Sequence, residues 1–433
     1  MGLLKNRNFA ILLSGQLVST IGNNLFSIAL PWYVYTLTNS KSALALTGVA
    51  QTLPAVVGLV AGVWVDRWRK RTTMISSDVV RGALSLILFA GIVLHWPLWT
   101  ILVMVLALQG AGQFFSPAAG ALFPLLVKKE DIPSGSGLLQ SSNATAQLLG
   151  TVSGGALMGA FGAPVLFLLD AVSFFVSVIS LFFIRVKEAI VPRPSETPSS
   201  SPAQGEQPQQ AANPLVNSKK RMHAFLQDWL DGLKFLVSSH FLILVVSAAL
   251  VVNFALAPVD IAITAWVKGP MHGVPVDLGI INGGFFIGVI LGGISVGAVT
   301  KHIAIRKLLL LGLLGIGICV GIFGLFRTVV PETTIALVTG LAIGSVNGSL
   351  NAMFIQMVPE AMRGRAFGIL GALSTFAMPL GMALFGWLIV QLPLHIVFIL
   401  IGAVCSLSGL TFLLPVKDAP TPANQTTAST VSE

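Results

Sequence analysis

Apolar residues gather in twelve long runs, near 9–37, 43–65, 73–95, 98–126, 137–161, 163–184, 241–267, 278–299, 307–326, 333–357, 367–390 and 393–415. A membrane-spanning helix needs roughly 20 mostly apolar residues. Glycine and proline interrupt several runs, which membrane helices accept because neighbouring groups re-satisfy the backbone. The pattern predicts an all-α integral membrane protein with twelve transmembrane helices, six on each side of a long middle loop. The first run carries no A-x-A-like end and reads as a retained span rather than a cleaved signal.

The polar gaps give an orientation. Twenty-one of the 25 Lys and Arg residues lie at the two termini and in alternate gaps; Lys41, Lys268 and Arg327 lie in the others, and Arg81 lies inside a run. Short cytoplasmic loops carry the excess of Lys and Arg. Both termini and the middle loop are therefore expected in the cytoplasm, and the chain in the cell (plasma) membrane.

The middle loop changes composition. Residues 192–214 are rich in Pro, Ser and Gln, which predicts a flexible linker. Phe225, Trp229 and Leu233 then recur every four residues behind Lys219, Lys220 and Arg221, the mark of an amphipathic helix on the membrane surface. The expected organisation is a six-helix bundle over 1–186, a linker over 187–218, an interfacial helix over 219–238, a second bundle over 239–416 and a disordered tail over 417–433. The halves share weak similarity: Pro31 matches Pro258, Val127 matches Val358, and Gly62 and Arg71 match Gly297 and Arg306. Two parallel repeats about an axis along the membrane normal are one transporter design.

Composition narrows the function classes. Only 9% of residues are charged and mean hydropathy is +0.87, which excludes an ordinary soluble domain. The net charge of +9 is spread over every second loop, suiting anionic lipid rather than a nucleic-acid patch. Cys319 and Cys405 show no metal or disulfide spacing, the six His are scattered, and no G-x-x-x-x-G-K-[ST] loop is present. No cofactor, metal or enzymatic activity is expected.

The sharpest local motif is Gly62-Val-Trp-Val-Asp66-Arg67-Trp-Arg69-Lys70-Arg71. Gly62 would let two helices approach closely, and Asp66 would face the positive end of the next helix. The segment resembles the loop signature of the major facilitator superfamily, G-x-x-x-D-R-x-G-R-K, with Arg69 in place of the second glycine. Gly22, Ala29-Leu-Pro-Trp32, Phe115-Ser-Pro-Ala118, Asp170-Ala-x-Ser-Phe174 and Pro359-Glu-x-x-Arg363-Gly-Arg365 resemble its twelve-span drug exporters, especially the macrolide-efflux-like branch. Gly150-Thr-Val-Ser-Gly154-Gly155 resembles the end of the antiporter signature, with Thr151 for Pro; the same small residues could simply pack helices. The resemblance implies two pseudo-symmetric six-helix bundles and a central cavity lined by helices one, four, seven and ten.

Polar residues concentrate in those four helices. Gln16, Ser19, Asn23 and Ser27 share one face of helix one. Gln109, Gln113 and Ser116 lie in helix four, Asn253 and Asp260 in helix seven, and Asn347 and Asn351 in helix ten. They read as cavity lining or as interhelical glue. Aromatic candidates are Trp32, Tyr33, Phe114, Phe115, Phe285 and Phe286.

Intramembrane acids are functional candidates by default. The runs contain three. Asp78 lies three residues from Arg81 and reads as an ion pair supporting the gate. Asp170 either bonds neighbouring helices or joins the transport chemistry. Asp260, just after Pro258, is the favoured cation or proton site. Relatives often carry an acid after the helix-one glycine, where this chain has Asn23. The expected function is secondary active efflux of hydrophobic or amphipathic small molecules, such as macrolides or lipophilic cations. Proton antiport by alternating access would drive it, in a monomer within the lipid bilayer. The alternative is a proton-independent facilitator, or a transporter of lipid-like or siderophore substrates on the same fold.

Overall fold

The computed structural model describes residues 3–65, 68–186, 233–237, 239–358 and 360–413. Twelve helical segments are found among them. They are α1 (Arg7–Thr38), α2 (Lys41–Thr52 and Ala55–Val65), α3 (Lys70–Val93), α4 (Leu98–Gly112 and Phe115–Leu126), α5 (Ile132–Phe161) and α6 (Ala163–Phe183). After the middle loop come α7 (His240–Leu256 and Val259–Lys268), α8 (Pro275–Val299), α9 (Ile305–Ile322), α10 (Val329–Met357), α11 (Glu360–Gln391) and α12 (Leu394–Leu410). Ten segments are long and apolar enough to cross a membrane. The other two are α2, broken at Leu53–Pro54, and α5, whose first half carries Gln140, Asn143 and Gln147.

Local chemistry sets the ends. The Asn6 side chain accepts the N–H groups of Asn8 and Phe9 at the start of α1, relieving orphan donors. Asn39 ends α1 with φ 49, a left-handed conformation that Asn tolerates. Ser40 then caps α2 by accepting the Ala43 N–H. Three runs that read as continuous are broken inside, α2 before Pro54, α4 at Gln113–Phe114 and α7 at Ala257–Pro258. Pro54 and Pro258 lie at two of these breaks, where a proline ring removes a backbone donor.

The helices form two bundles, α1–α6 and α7–α12. Within the first, α6 packs on α1 and α3; within the second, α8 packs on α10 and α9 on α12. The α8–α10 contact is a glycine seam. A Cβ on Gly288 or Gly292 would fall about 2 Å from the backbone of α10, and one on Gly340 or Gly344 equally close to α8. Without a hydrophobic force between helices in lipid, such backbone proximity supplies the packing. Outward positions such as Trp99, Ile294 and Leu407 are apolar and exposed, as a lipid-facing surface requires.

The bundles touch through α5–α8 and α2–α11. A Cβ on Gly155 would meet Gly279 Cα at 2.7 Å, and one on Gly386 would meet Ala45 at 3.3 Å. Ile261 of α7 and Met382 of α11 converge on Gly48 of α2. All these contacts lie in the halves farther from the two termini. The glycine contacts between the bundles thus gather at the end opposite the basic loops.

Sequence expectations for 187–232 and 414–433, and thus for the linker, most of the interfacial helix and the tail, fall outside the described residues. Leu233–Val237 is helical.

Candidate functional site

Helix α1 presents Gln16, Ser19, Thr20 and Asn23 on one face. The second half of α4 turns Phe115, Ser116, Ala119 and Phe123 towards them, α5 adds Leu139 and Asn143, and Arg81 of α3 closes the floor. These side chains line a cavity of about 350 Å³, within the range of small-molecule sites. At the break in α4 the Ala111 carbonyl accepts a hydrogen bond from Ser77 Oγ at 2.8 Å.

Behind the floor lies a buried charged cluster between α3 and α6. Asp78 and Asp170 are fully buried, and Arg81 is 7% exposed. Arg81 Nη1 stands 3.7 Å from Asp78 Oδ1, while its Nη2 donates to Asn23 Oδ1 at 2.7 Å. The guanidinium lies 4.1 Å from the centre of the Phe174 ring. Ser177 Oγ donates to Asp78 Oδ2 at 2.6 Å, and Ser85 Oγ donates to Asp170 Oδ2 at 2.9 Å. Arg81 also acts electrostatically on Asp170. Asp78 Oδ1, Asp170 Oδ1 and Arg81 Nε have no hydrogen-bond partner, uncommon for buried polar atoms. Asn23 and Asp170, which the sequence kept apart from the Asp78–Arg81 ion pair, thus lie with it in one buried neighbourhood.

The remaining candidates are placed elsewhere. Gln113 bonds locally: its Nε2 donates to the Gln109 carbonyl at 3.3 Å, and its Oε1 lies against Gly58 of α2. Asn253 Nδ2 donates to the Ala249 carbonyl of its own helix. Asp260 sits in the first turn after the α7 break, with its side chain exposed. Asn347 and Asn351 are exposed on one face of α10. None of these six lines the cavity at Arg81. Of the aromatic candidates, Phe115 lines it; Phe114 stacks against Trp64 and Trp68 at 6.3 and 6.0 Å.

The loop motif differs from expectation at its glycine. A Cβ on Gly62 would meet nothing within 4 Å among the described residues. Asp66 and Arg67 fall outside the described residues. Arg71 donates from Nε to the Leu181 carbonyl and from Nη2 to the Phe182 carbonyl, both at 2.8 Å, satisfying carbonyls at the end of α6. Arg306 Nε makes the matching bond to the Phe412 carbonyl at 2.8 Å. The repeat inferred from Gly62/Gly297 and Arg71/Arg306 therefore has a physical counterpart.

Two residues escaped the sequence reading. Asn143 lines the cavity from α5, and Gln140, Asn143 and Gln147 form a helical stripe (i, i+3, i+7) that could have flagged it. Glu332 is a fourth intramembrane acid, because α10 starts at Val329 rather than at 333. It is fully buried, and its Oε1 accepts the Gly324 N–H at 3.0 Å.

The family model of the Major Facilitator Superfamily matches residues 12–276 and 245–432. Macrolide efflux protein A of Streptococcus pyogenes is 22% identical over 384 residues, covering 87% of this chain and 88% of that protein. The multidrug efflux pump Tap of Mycolicibacterium fortuitum is 23% identical over 423 residues, covering 92% and 93%. Among solved structures, the nucleoside transporter NupG superposes with a TM-score of 0.68 at 11% identity, over 93% of this chain and 99% of that one. A bacterial homologue of the lysosomal transporter Spinster, in an inward-facing and unoccupied conformation, gives 0.66 at 13% identity, over 96% and 99%.

Proposed function

The chain belongs to the Major Facilitator Superfamily, and from that premise we propose that it is a secondary active exporter of hydrophobic or amphipathic small molecules. The observation that carries this reading is the polar cavity between α1, α4 and α5, bordered by Arg81. Relatives named for macrolide and multidrug efflux support the substrate class. The inter-bundle glycine contacts gather at the end opposite the basic loops, which by the positive-inside rule supports an inward-facing conformation with both termini cytoplasmic in the cell membrane.

In this reading the bundles rock about the cavity. The α5–α8 and α2–α11 contacts open at the far end as the basic ends close over the substrate. Gln16, Asn23 and Asn143 supply hydrogen bonds, and Phe115 and Phe123 supply apolar surface. Asp260, exposed at the positive end of a half-helix, is the acid that a cationic substrate would meet from the second bundle. Proton antiport supplies the energy, and a single chain is the working unit.

The test is transport by proteoliposomes of a lipophilic cation, tetraphenylphosphonium, and a macrolide, erythromycin, with and without an imposed proton gradient. Uphill flux that follows the gradient is expected. Flux indifferent to the gradient would replace the antiporter with a facilitator. No flux of either probe would overturn the substrate class and favour lipid-like or siderophore cargo.

A further inference from the structure

The repeat provides an internal control on the buried charges. Arg71 and Arg306, 235 positions apart, cap the ends of α6 and α12. At the same offset Gly82 faces Phe174 and Phe175 of α6, while Gly317 faces Gly402 and Ser406 of α12. Helices α6 and α12 begin 231 positions apart, at Ala163 and Leu394. At that offset Phe167 pairs with Phe398 and Ser177 with Ser408, all four buried. The counterparts of Asp78, Arg81 and Ser85 are then Leu313, Ile316 and Val320, and that of Asp170 is Ile401. All four counterparts are buried and apolar. The same helix pair packs in the second bundle without a charge, so the architecture does not need the charges of the first.

Counting charges says what they are suited for. With both acids ionised, two carboxylates act on one guanidinium, Asp78 as its ion-pair partner at 3.7 Å and Asp170 through its field, leaving one buried negative charge in excess. No neighbouring element cancels it. Across α1, α4, α5 and α6 the charged side chains are Arg7, at the first position of α1, and Asp170 itself. These elements offer the cluster neutral groups: Asn23, the backbone at Gly112, Ser177 and the Phe174 ring. An uncompensated charge in a low-dielectric interior is costly, and one proton removes it. Asp170 Oδ1, which accepts no hydrogen bond, and Asp78 Oδ1, 3.7 Å from Arg81 Nη1 and without a hydrogen bond, are placed to carry it. Arg81 touches both the cluster and the cavity, through Asn23.

We propose that Asp78, Asp170 and Arg81 form one proton-binding site holding a single exchangeable proton, sensed in the cavity through Asn23, so that the proton and a cationic ligand exclude each other. Loading the proton makes the cluster neutral and leaves the cavity floor without attraction for a cation. Releasing it to cavity water restores the negative charge that a cation there would feel. The ligand half of the proposal depends on the export reading; the proton half does not.

The full chain in lipid nanodiscs gives two separable readouts. The first is the infrared band of a protonated carboxyl, followed from mildly acidic to mildly alkaline pH. Asp78→Asn and Asp170→Asn should each abolish the same band, because one remaining carboxylate paired with Arg81 needs no proton. If both variants keep the wild-type band, the shared proton is overturned. The second is binding of tetraphenylphosphonium over the same pH range. Wild-type affinity should fall by up to about tenfold per pH unit on acidification, the slope of one linked proton, and should be flat in either variant. Affinity independent of pH in the wild type overturns the link to the cavity. A triple Asp78→Leu, Arg81→Ile, Asp170→Ile chain, copying the second bundle, should melt near the wild-type temperature and lose both signals; its failure to fold would show the charges to be structural and overturn the proposal. Should the band behave as expected while wild-type proteoliposomes export neither probe, the export reading fails and the proton site stands.

Discussion

At the scale of single residues, the cluster behind the cavity is where stability and function meet. Removing one member of a buried ion pair leaves an uncompensated charge and costs about 3–5 kcal/mol, whereas an apolar replacement of both is often neutral or stabilising. Arg81→Ala should therefore lower the melting temperature of the detergent-solubilised protein. Asp78→Leu combined with Arg81→Ile should melt higher than Arg81→Ala. The reverse order would mean that the pair holds α3 against α6. Half of this was legible in the sequence: Asp78 and Arg81 lie three apart, and such residues meet on one helix face. Asn23 is 58 positions from Arg81 and Asp170 is 85 positions from Ser85, distances at which periodicity says nothing about contact. Glu332 escaped because a hydropathy run begins after a charged residue, while the helix begins before it and uses the carboxylate on the Gly324 N–H.

At the scale of elements, apolar periodicity located twelve helices but not the breaks inside α2, α4 and α7. A broken helix in a bundle keeps its apolar composition, so the run shows no gap; only the exposed Asp260 and the Ala111 carbonyl bound by Ser77 reveal what the breaks make available. The helix five motif left two readings, a transport signature or small residues for packing, and the contacts favour packing. Gly155 lies within 2.7 Å, measured from an added Cβ, of Gly279 and of the Pro275 carbonyl. Gly155→Leu is expected to leave each bundle folded, since the contact lies between bundles, but to hold their far ends apart. A spin-label distance between Leu46 of α2 and Leu384 of α11 should lengthen in that variant. An unchanged distance would show that α5 and α8 absorb the side chain by sliding, and that the glycine pair does not set the closure.

At the scale of the whole molecule, two side-chain hydrogen bonds join the bundles at one end among the described residues, few enough for a rocking mechanism. Lys268, at the end of α7, donates to Thr36 Oγ1 of α1 and lies 4.8 Å from the Trp32 ring centre. Lys41 of α2 donates to the Leu392 carbonyl beyond α11 at 3.4 Å. These are two of the three cations that the sequence places away from the basic loops, so the exceptions to the charge asymmetry mark the closed gate. Their exception was visible in the sequence; their partners across the bundle interface were not. An exposed cation–π contact contributes about 0.5–1 kcal/mol, and 1.4 kcal/mol is a tenfold change in population. Lys268→Met should therefore raise the fraction of molecules open at the far end by about two- to fivefold, read as a larger long-distance component between spin labels at Leu46 and Leu384. Lys268→Arg, which keeps the charge over Trp32, should restore the wild-type distribution. If Met and Arg variants match the wild type equally, closure is carried by the glycine contacts of α5–α8 and α2–α11 alone, and Lys268 serves the membrane surface rather than the gate.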